Sequence, residues 1–397
     1  MCLGCRRDTS DRILTLHAPK MVQSRKEASL MKTATIGSAM IDIITIVADN
    51  DIERISMTNA HNSFLLLEQG RKIDARNIST HVGGGAINAA VAHARLGHET
   101  TPTVKLGDDI EAQMVRELLK REGLSDGNLM VTDKAITGCS VIIASHDRNA
   151  SIFTARGANC LVVDDDIHEG IFDGAQLLHI APMSKESADA FPMICQRGRE
   201  SGAFVVANPG ERQINRRGEQ FIETAKNIDL ININRAEAEC MLPVLLENSD
   251  HNNMRTIKFT ERPERSLLTR GLIMDHTHCS LAGFMSLLMA AGPKWVLITD
   301  GTGGAYLSGE KGVYHCPIFK ANVKGTAGAG DAFTSTFGAM LADGAEPEKA
   351  LQLAAINSAS VVEYVDTQSG LLDMEELEAR FAKDGDILEV KFWPWQG

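Results

Sequence analysis

Between residues 33 and 364, short apolar runs alternate with longer segments whose apolar positions recur every three or four residues. The runs at 33–36, 176–180, 204–207, 230–232 and 295–299 predict strands. The helical period predicts helices over 87–96, 112–122, 185–201, 328–342 and 347–364. Strand and helix in alternation build a mostly parallel sheet flanked by helices. The strand runs are apolar at consecutive positions, the pattern of strands covered on both faces. The fold class is α/β.

Two stretches break the alternation. Residues 138–156 hold the extended runs Ser140-Val141-Ile142-Ile143 and Ser151-Ile152-Phe153-Thr154 around the polar turn His146-Asp147-Arg148-Asn149, and predict a hairpin. Residues 42–67 carry few helix signals and supply further strands to a small second sheet. A charged stretch of little periodicity at 245–277 reads as a solvated surface insertion. Residues 1–30 carry net +3 and show neither period. They read as a disordered arm or, because Met31 offers a start, as a mis-annotated extension. The closing Phe392-Trp393-Pro394-Trp395 reads as an aromatic cluster packed against the domain.

The 397 residues, 44% hydrophobic and 23% charged, are enough for one large domain or two ordinary ones. A net charge of −12, with no basic and aromatic cluster, excludes nucleic acid as a partner. No apolar run reaches the roughly 20 residues of a membrane span. Eight cysteines include one C-x-x-C, Cys2 and Cys5, without a second pair to complete a zinc site. Reduced thiols and no signal peptide point to the cytoplasm.

Residues 324–333 read Lys-Gly-Thr-Ala-Gly-Ala-Gly-Asp-Ala-Phe and run straight into a helix. Small residues with free amides at a helix N-terminus form an anion site, because unpaired N–H groups and the positive dipole end point the same way. No Gly-Lys-Ser/Thr follows, so this is not a Walker loop. It ends instead in Asp331, a carboxylate beside a site for anions. That residue suits removal of a hydroxyl proton as the oxygen attacks a phosphoryl group. The same spelling also suits an ordinary capped helix, so its company matters. Gly83-Gly84-Gly85-Ala86-Ile87-Asn88 opens another helix, where glycines admit a ligand to the backbone and Asn88 offers a donor and an acceptor to a polyol. It fails as a dinucleotide fingerprint for want of the third glycine. Gly37 to Asp42 sets a carboxylate at the end of the first strand, where open α/β sheets place ligand groups. His81, His93 and His98 read as surface or helix-cap residues.

In this order the motifs resemble the PfkB (ribokinase-like) family of carbohydrate and nucleoside kinases, over about residues 33–370. Gly37 with Asp42 matches its G-x-x-x-x-D, Gly83, Gly84 and Asn88 its G-G-x-x-x-N, and Asn234 with Glu237 its N-x-x-E. Thr299, Gly301 and Gly304 resemble its T-x-G-x-x-G loop, and Gly328 to Asp331 its G-A-G-D. Lys105-Leu106-Gly107-Asp108-Asp109 resembles its G-x-D-x-x-G turn without the last glycine. Arg156-Gly157-Ala158-Asn159 and Asn208-Pro209-Gly210 resemble the segments after the lid and at mid-chain.

The resemblance implies a ribokinase-like fold, one kinase domain over 31–397, with a small β-sheet lid from strands within 42–67 and 138–156. It implies ATP-dependent, Mg2+-assisted transfer of the γ-phosphoryl group to a hydroxymethyl group of a sugar. Asp331 would be the general base, and the amides of Gly328, Ala329 and Gly330 the anion hole. Asp42, Gly84, Gly85 and Asn88 would hold the acceptor. Asn234, Thr299, Gly301, Gly304 and Asn357 would bind ATP, and Glu237 would act on magnesium through waters. The family's first Asp of D-T-x-G-A-G-D is Gly325 here, so monovalent-cation activation does not carry over. Ribose-specific members have Lys where this chain has Gly85, which argues against ribokinase itself. An adenosine-like nucleoside kinase, its base walled by Phe64, Phe153 or Ile143, is the second reading. A non-catalytic sugar- or nucleotide-binding protein is the third. Lid sheets of this kind pair between subunits, so a homodimer through the lid is expected.

Overall fold

The computed structural model describes residues 30–47, 53–56, 63–66, 70, 72–144, 150–259 and 266–396. The arm expected over 1–30 lies outside them except for Leu30, as does the turn at 146–149; for Phe64 only the backbone is described. The chain opens with β1 (Lys32–Gly37), β2 (Met40–Val47), β3 (Glu53–Ser56), β4 (Ser63–Leu66) and β5 (Ala75–Gly83). Next come α1 (Gly85–Arg95), β6 (Glu99–Gly107), α2 (Ile110–Arg121), β7 (Leu129–Thr132) and the hairpin β8 (Gly138–Ala144) with β9 (Ala150–Ala155). The middle runs β10 (Leu177–Ile180), α3 (Phe191–Glu200), β11 (Phe204–Ala207), α4 (Glu211–Thr224), β12 (Leu230–Asn234) and α5 (Arg235–Glu247). After β13 (Thr256–Ile257), α6 (Leu267–Arg270), β14 (Leu272–Met274) and β15 (Thr277–Cys279) comes α7 (Leu281–Ala290). The end comprises β16 (Trp295–Thr299), β17 (Ala305–Gly309), β18 (Gly312–Cys316), α8 (Ala329–Ala342), α9 (Pro347–Val361), α10 (Met374–Asp384) and β19 (Lys391–Gln396).

One sheet of eleven strands, in the order β13-β19-β18-β17-β16-β12-β11-β10-β1-β6-β7, forms the body. From β16 to β7 every pairing is parallel, and β17, β18, β19 and β13 extend it antiparallel. Its central strands β10, β11 and β16 are mostly apolar because both faces are covered. Val205, Ile231 and Ile298 enter the core under α3, α4, α5 and α7, while Val206, Leu230 and Leu297 face α8 and α9. A separate four-stranded sheet, β5-β2-β8-β9, stands apart from the body, and β3 pairs with β4 as a ribbon.

Three departures from the sequence reading have plain causes. The helix expected over 185–201 is a 3-10 turn, Lys185–Ala190, followed by α3, because Pro192 lacks the N–H that an uninterrupted helix needs and instead starts α3. The aromatic tail packs against the domain as expected, but does so as a strand, β19, which carries Trp393 to 5% exposure. The stretch 245–277 is only partly solvated, since β13 pairs with β19 at the sheet edge and Leu267 and Leu272 are fully buried.

His93 and His98, read as surface or helix-cap residues, are buried: His93 lies inside α1 against His179 of β10, ring centroids 5.5 Å apart. The hydrophobic small residues of α1 draw its whole inner face onto the sheet, and His93 goes with them. Burial lowers His179 to about 4 and holds His93 well below the usual imidazole range. Stability is therefore full above pH 6.5 and falls as pH drops from 6.5 towards 4, where only the unfolded chain takes up the proton. The shift of His179 alone corresponds to about 3 kcal/mol at the acid end. Urea titrations at pH 7 and pH 4.5 check this, and His179→Gln is expected to flatten the slope; an unchanged slope would contradict it.

Candidate active site

The sequence motifs gather outside the carboxyl ends of the parallel strands, where the strand order admits a ligand crevice. β1 ends at Gly37, β12 at Asn234 and β16 at Thr299, with Asn234 and Thr299 directly paired across the sheet. Asp42 is not at the end of β1, as the sequence reading had it, but three residues into β2, because Ser38 and Ala39 break the strand and turn the chain into the small sheet.

Gly328 caps α8 in the left-handed region, φ +78°, and a Cβ there would lie 2.7 Å from Cβ of Thr367. Any larger residue would push the loop off the helix end. Among the described residues the amide of Ala329 makes one long bond, 3.4 Å to the carbonyl of Thr326, and the amide of Gly330 makes none. A methyl on Gly330 would meet nothing within 4 Å, so the space over these donors is open.

Asp331 stands in the first turn of α8, surrounded by protein yet keeping some accessible surface. Burial raises its pKa above the usual carboxylate range; a hydrogen bond from Asn88 pulls it down, and the Asp42 charge raises it further. Asn88 Nδ2 donates to Asp331 Oδ2 at 2.7 Å. Asn88 Oδ1 accepts from Thr367 Oγ1 at 2.9 Å and Gln368 Nε2 at 3.0 Å, and the residue is 3% exposed. Its amide is thus spent on Asp331 and on the 367–368 loop, not left free for a ligand hydroxyl. Arg95 fixes that loop in turn, donating to the carbonyls of Gln368 and Leu371 while Glu122 holds its other nitrogens. Thr367, Gln368 and Arg95 lie outside any motif, and no local pattern marks them.

Asp42 accepts a short 2.5 Å bond from Ser140 of β8, and burial holds its pKa above the carboxylate range. Gly84, φ +94°, has no room for a side chain, since a Cβ would lie 2.6 Å from the carbonyl oxygen of Ser38. Gly85 donates its amide to Ser38 Oγ at 3.2 Å.

Asn234 and Glu237 close a capping box on α5: Asn234 Oδ1 accepts from the Glu237 amide at 3.0 Å, and Glu237 Oε2 from the Asn234 amide at 2.8 Å. Gly301 lies open, with nothing within 4 Å of a built Cβ, and Gly304 passes tight against the carbonyl of Cys316. Asp300, just before Gly301, takes Arg235 and Arg270, each at 3.3 Å. Asn357 is not brought to the cleft surface. It is fully buried in α9, donating to Thr336 Oγ1 and accepting from the Leu372 amide, so it ties α8 to α9.

The profile of the pfkB family of carbohydrate kinases matches residues 32–374. The chain belongs to this family. The deoxyribokinase of Salmonella typhi is 24% identical over 346 residues, covering 87% of this chain and 97% of its own. The ribokinase of Arabidopsis thaliana is 23% identical over 357 residues, 88% of this chain and 82% of the relative. The solved ribokinase of Thermotoga maritima superposes with a TM-score of 0.65 at 19% identity, over 89% of this chain and all of that one. The Burkholderia thailandensis nucleoside kinase in complex with inosine gives 0.65 at 19%, over 88% and 98%. Their likeness shows the ribokinase-like fold. The kinase is a phosphotransferase with an alcohol group as acceptor. No helix among its described residues is long and apolar enough to cross a membrane.

The donor set of this kinase fits a magnesium ion brought in with phosphates. Burial first, then the charges of Glu211 and Asp331, raises Glu237 to about 7. No three His, Cys, Asp or Glu among the described residues converge as a cage. A carboxylate such as Glu237 would suit a cation that keeps its waters and takes one or two carboxylates. Because Glu237 must shed a proton to face a cation, affinity for Mg·ADP is expected to rise up to about tenfold per pH unit below 7. Calorimetry at pH 6 and 8 measures this, and Glu237→Gln is expected to remove the dependence. An equal dependence in both proteins would take Glu237 out of cation binding.

Proposed function

We propose that the kinase transfers the γ-phosphoryl group of ATP to a hydroxymethyl group of a sugar. The observation that carries this is the pairing of Asp331 with open amides at the same helix end: a base and an anion site within one turn. Asp331 accepts the hydroxyl proton as the oxygen forms its bond to the γ-phosphorus. The bond from that phosphorus to the β,γ-bridging oxygen breaks, and ADP leaves with the electron pair. The amides of Gly328, Ala329 and Gly330 neutralise charge on the transferring group, and the helix dipole adds to them. Asn88, held by Thr367 and Gln368, keeps Asp331 aimed. Asp42, Gly84 and Gly85 border the acceptor; Asn234, Thr299, Gly301 and Gly304 border ATP. Glu237 would hold magnesium through waters, and the ion would supply charge neutralisation at the phosphate oxygens.

The curated relatives named above are a deoxyribokinase and a ribokinase, which supports a sugar over a nucleoside acceptor. The nucleoside reading keeps one observation: Phe153 on β9 is 60% exposed and could wall a base. ADP release with Mg·ATP and a panel of pentoses, hexoses, sugar acids, sugar phosphates and nucleosides separates the two. Turnover confined to nucleosides would overturn the sugar reading.

A further inference from the structure

His81 lies on β5, two residues before Gly83, and the register of the small sheet sets it directly opposite Asp42 of β2, which in turn pairs with Ser140 of β8. Directly paired residues share a face, so the three side chains form one row. His81 Nε2 shares a hydrogen bond with Ser79 Oγ at 2.9 Å, and Nδ1 lies 4.0 Å from Asp366 Oδ2, an ion-pair distance. The imidazole therefore neighbours two carboxylates, one on the small sheet and one on the loop that holds Asn88.

The Asp366 side reaches the site through continuous hydrogen bonds. Asp366 Oδ1 accepts from the amides of Gln368 at 2.9 Å and Ser369 at 2.7 Å, Thr367 and Gln368 hold Asn88, and Asn88 holds Asp331. The two sides also meet at Gly83, where a Cβ would collide with Asp42 Oδ2 and lie 3.4 Å from Thr367 Oγ1. Among the described residues, the one ion pair that reaches Asp42, Asp331 or Asp366 is that of His81. Burial raises the pKa of Asp42, against the Ser140 bond and the charge of a protonated His81. Burial opposes the charge on Asp366 as well, yet its amide bonds and His81 hold it below the usual carboxylate range. Carboxylates gathered where phosphates must come repel one another, and a cation between two of them relieves that repulsion.

We propose that His81 is a positioning residue for phosphoryl transfer: standing between Asp42 and Asp366, it sets the acceptor-side carboxylate directly and the base through the 366–369 loop and Asn88. This rests on the phosphotransfer reading above and adds a side chain that no motif of the chain contains. His81 and Asp366 line a cavity of about 260 Å³ with Gln368 and Ser369, so water screens the pair and its effect is moderate.

The test measures acceptor and ATP kinetics in the wild type, His81→Gln, Asp366→Asn and the double variant. His81→Gln is expected to raise the acceptor KM about threefold through Asp42 and to lower kcat about threefold through Asp366, the scale of one partly screened charge acting on two carboxylates. KM for ATP should stay unchanged. In the Asp366→Asn background the same substitution should still raise the acceptor KM but no longer lower kcat. That split separates positioning from a general loosening of the fold, which would move KM for ATP as well. Unchanged acceptor constants in His81→Gln, or a kcat loss that persists in full in the Asp366→Asn background, would overturn the inference and leave phosphotransfer standing. If the wild type turns over no acceptor, the phosphotransfer reading fails, and hydrogen exchange of residues 366–369 decides the part of His81. Faster exchange in His81→Gln than in the wild type supports the tether; equal exchange overturns it.

Discussion

Asp331→Asn is expected to lower kcat by about 10³-fold while KM for ATP changes little. A positioned base contributes roughly 10²–10⁴ in rate, and the asparagine keeps the shape but cannot take the proton. The proposed anion site consists of the backbone amides of Gly328, Ala329 and Gly330, which the substitution leaves in place. The hydrogen bond at 2.7 Å from Asn88 can re-form to the new amide oxygen, so the fold should survive. Steady-state kinetics check both halves. Activity above a tenth of wild type would show that Asp331 is not the base.

Asn88→Ala should lower kcat by about 10²-fold and move the acid limb of the rate profile to higher pH. The sign follows from the bond it removes. Asn88 lowers the Asp331 pKa by donating to the carboxylate, so without it burial and Asp42 are less opposed and the base stays protonated to higher pH. Thr367 and Gln368 are left without their acceptor, which costs about 1–3 kcal/mol of stability. The split between constants is diagnostic. A raised acceptor KM at constant kcat, with an unmoved acid limb, would give Asn88 back the acceptor-binding role that its motif suggested. Loss of kcat with the limb displaced assigns it to positioning.

The body of the fold is legible in the sequence wherever burial is uniform. Leu177–Ile180 and Leu230–Asn234 carry mostly apolar, buried residues because helices cover both faces, and their boundaries fall within two residues of those expected. β6 escaped because Pro102 and three threonines break its apolar run, yet pairing with β1 and β7 on its two sides holds it extended. β19 escaped because its partner, β18, lies more than seventy residues away, a pairing no local pattern reveals. The site divides the same way. Glycines whose backbone must pass close to other atoms, such as Gly84 and Gly328, announce themselves by spacing. Side chains that act through tertiary contact do not: Thr367 and Gln368 reach Asn88 across some 280 positions, and Asn357 carries a motif position but is sealed in the core.

The most direct test of the central claim is product analysis. Purified kinase, Mg·ATP and the best acceptor of the panel are allowed to react, and ADP and phosphorylated sugar are quantified together. Equal amounts of ADP and sugar monophosphate, both suppressed in Asp331→Asn, are predicted. ADP without phosphorylated sugar would make the chain an ATPase, and neither product with any acceptor would contradict phosphoryl transfer altogether.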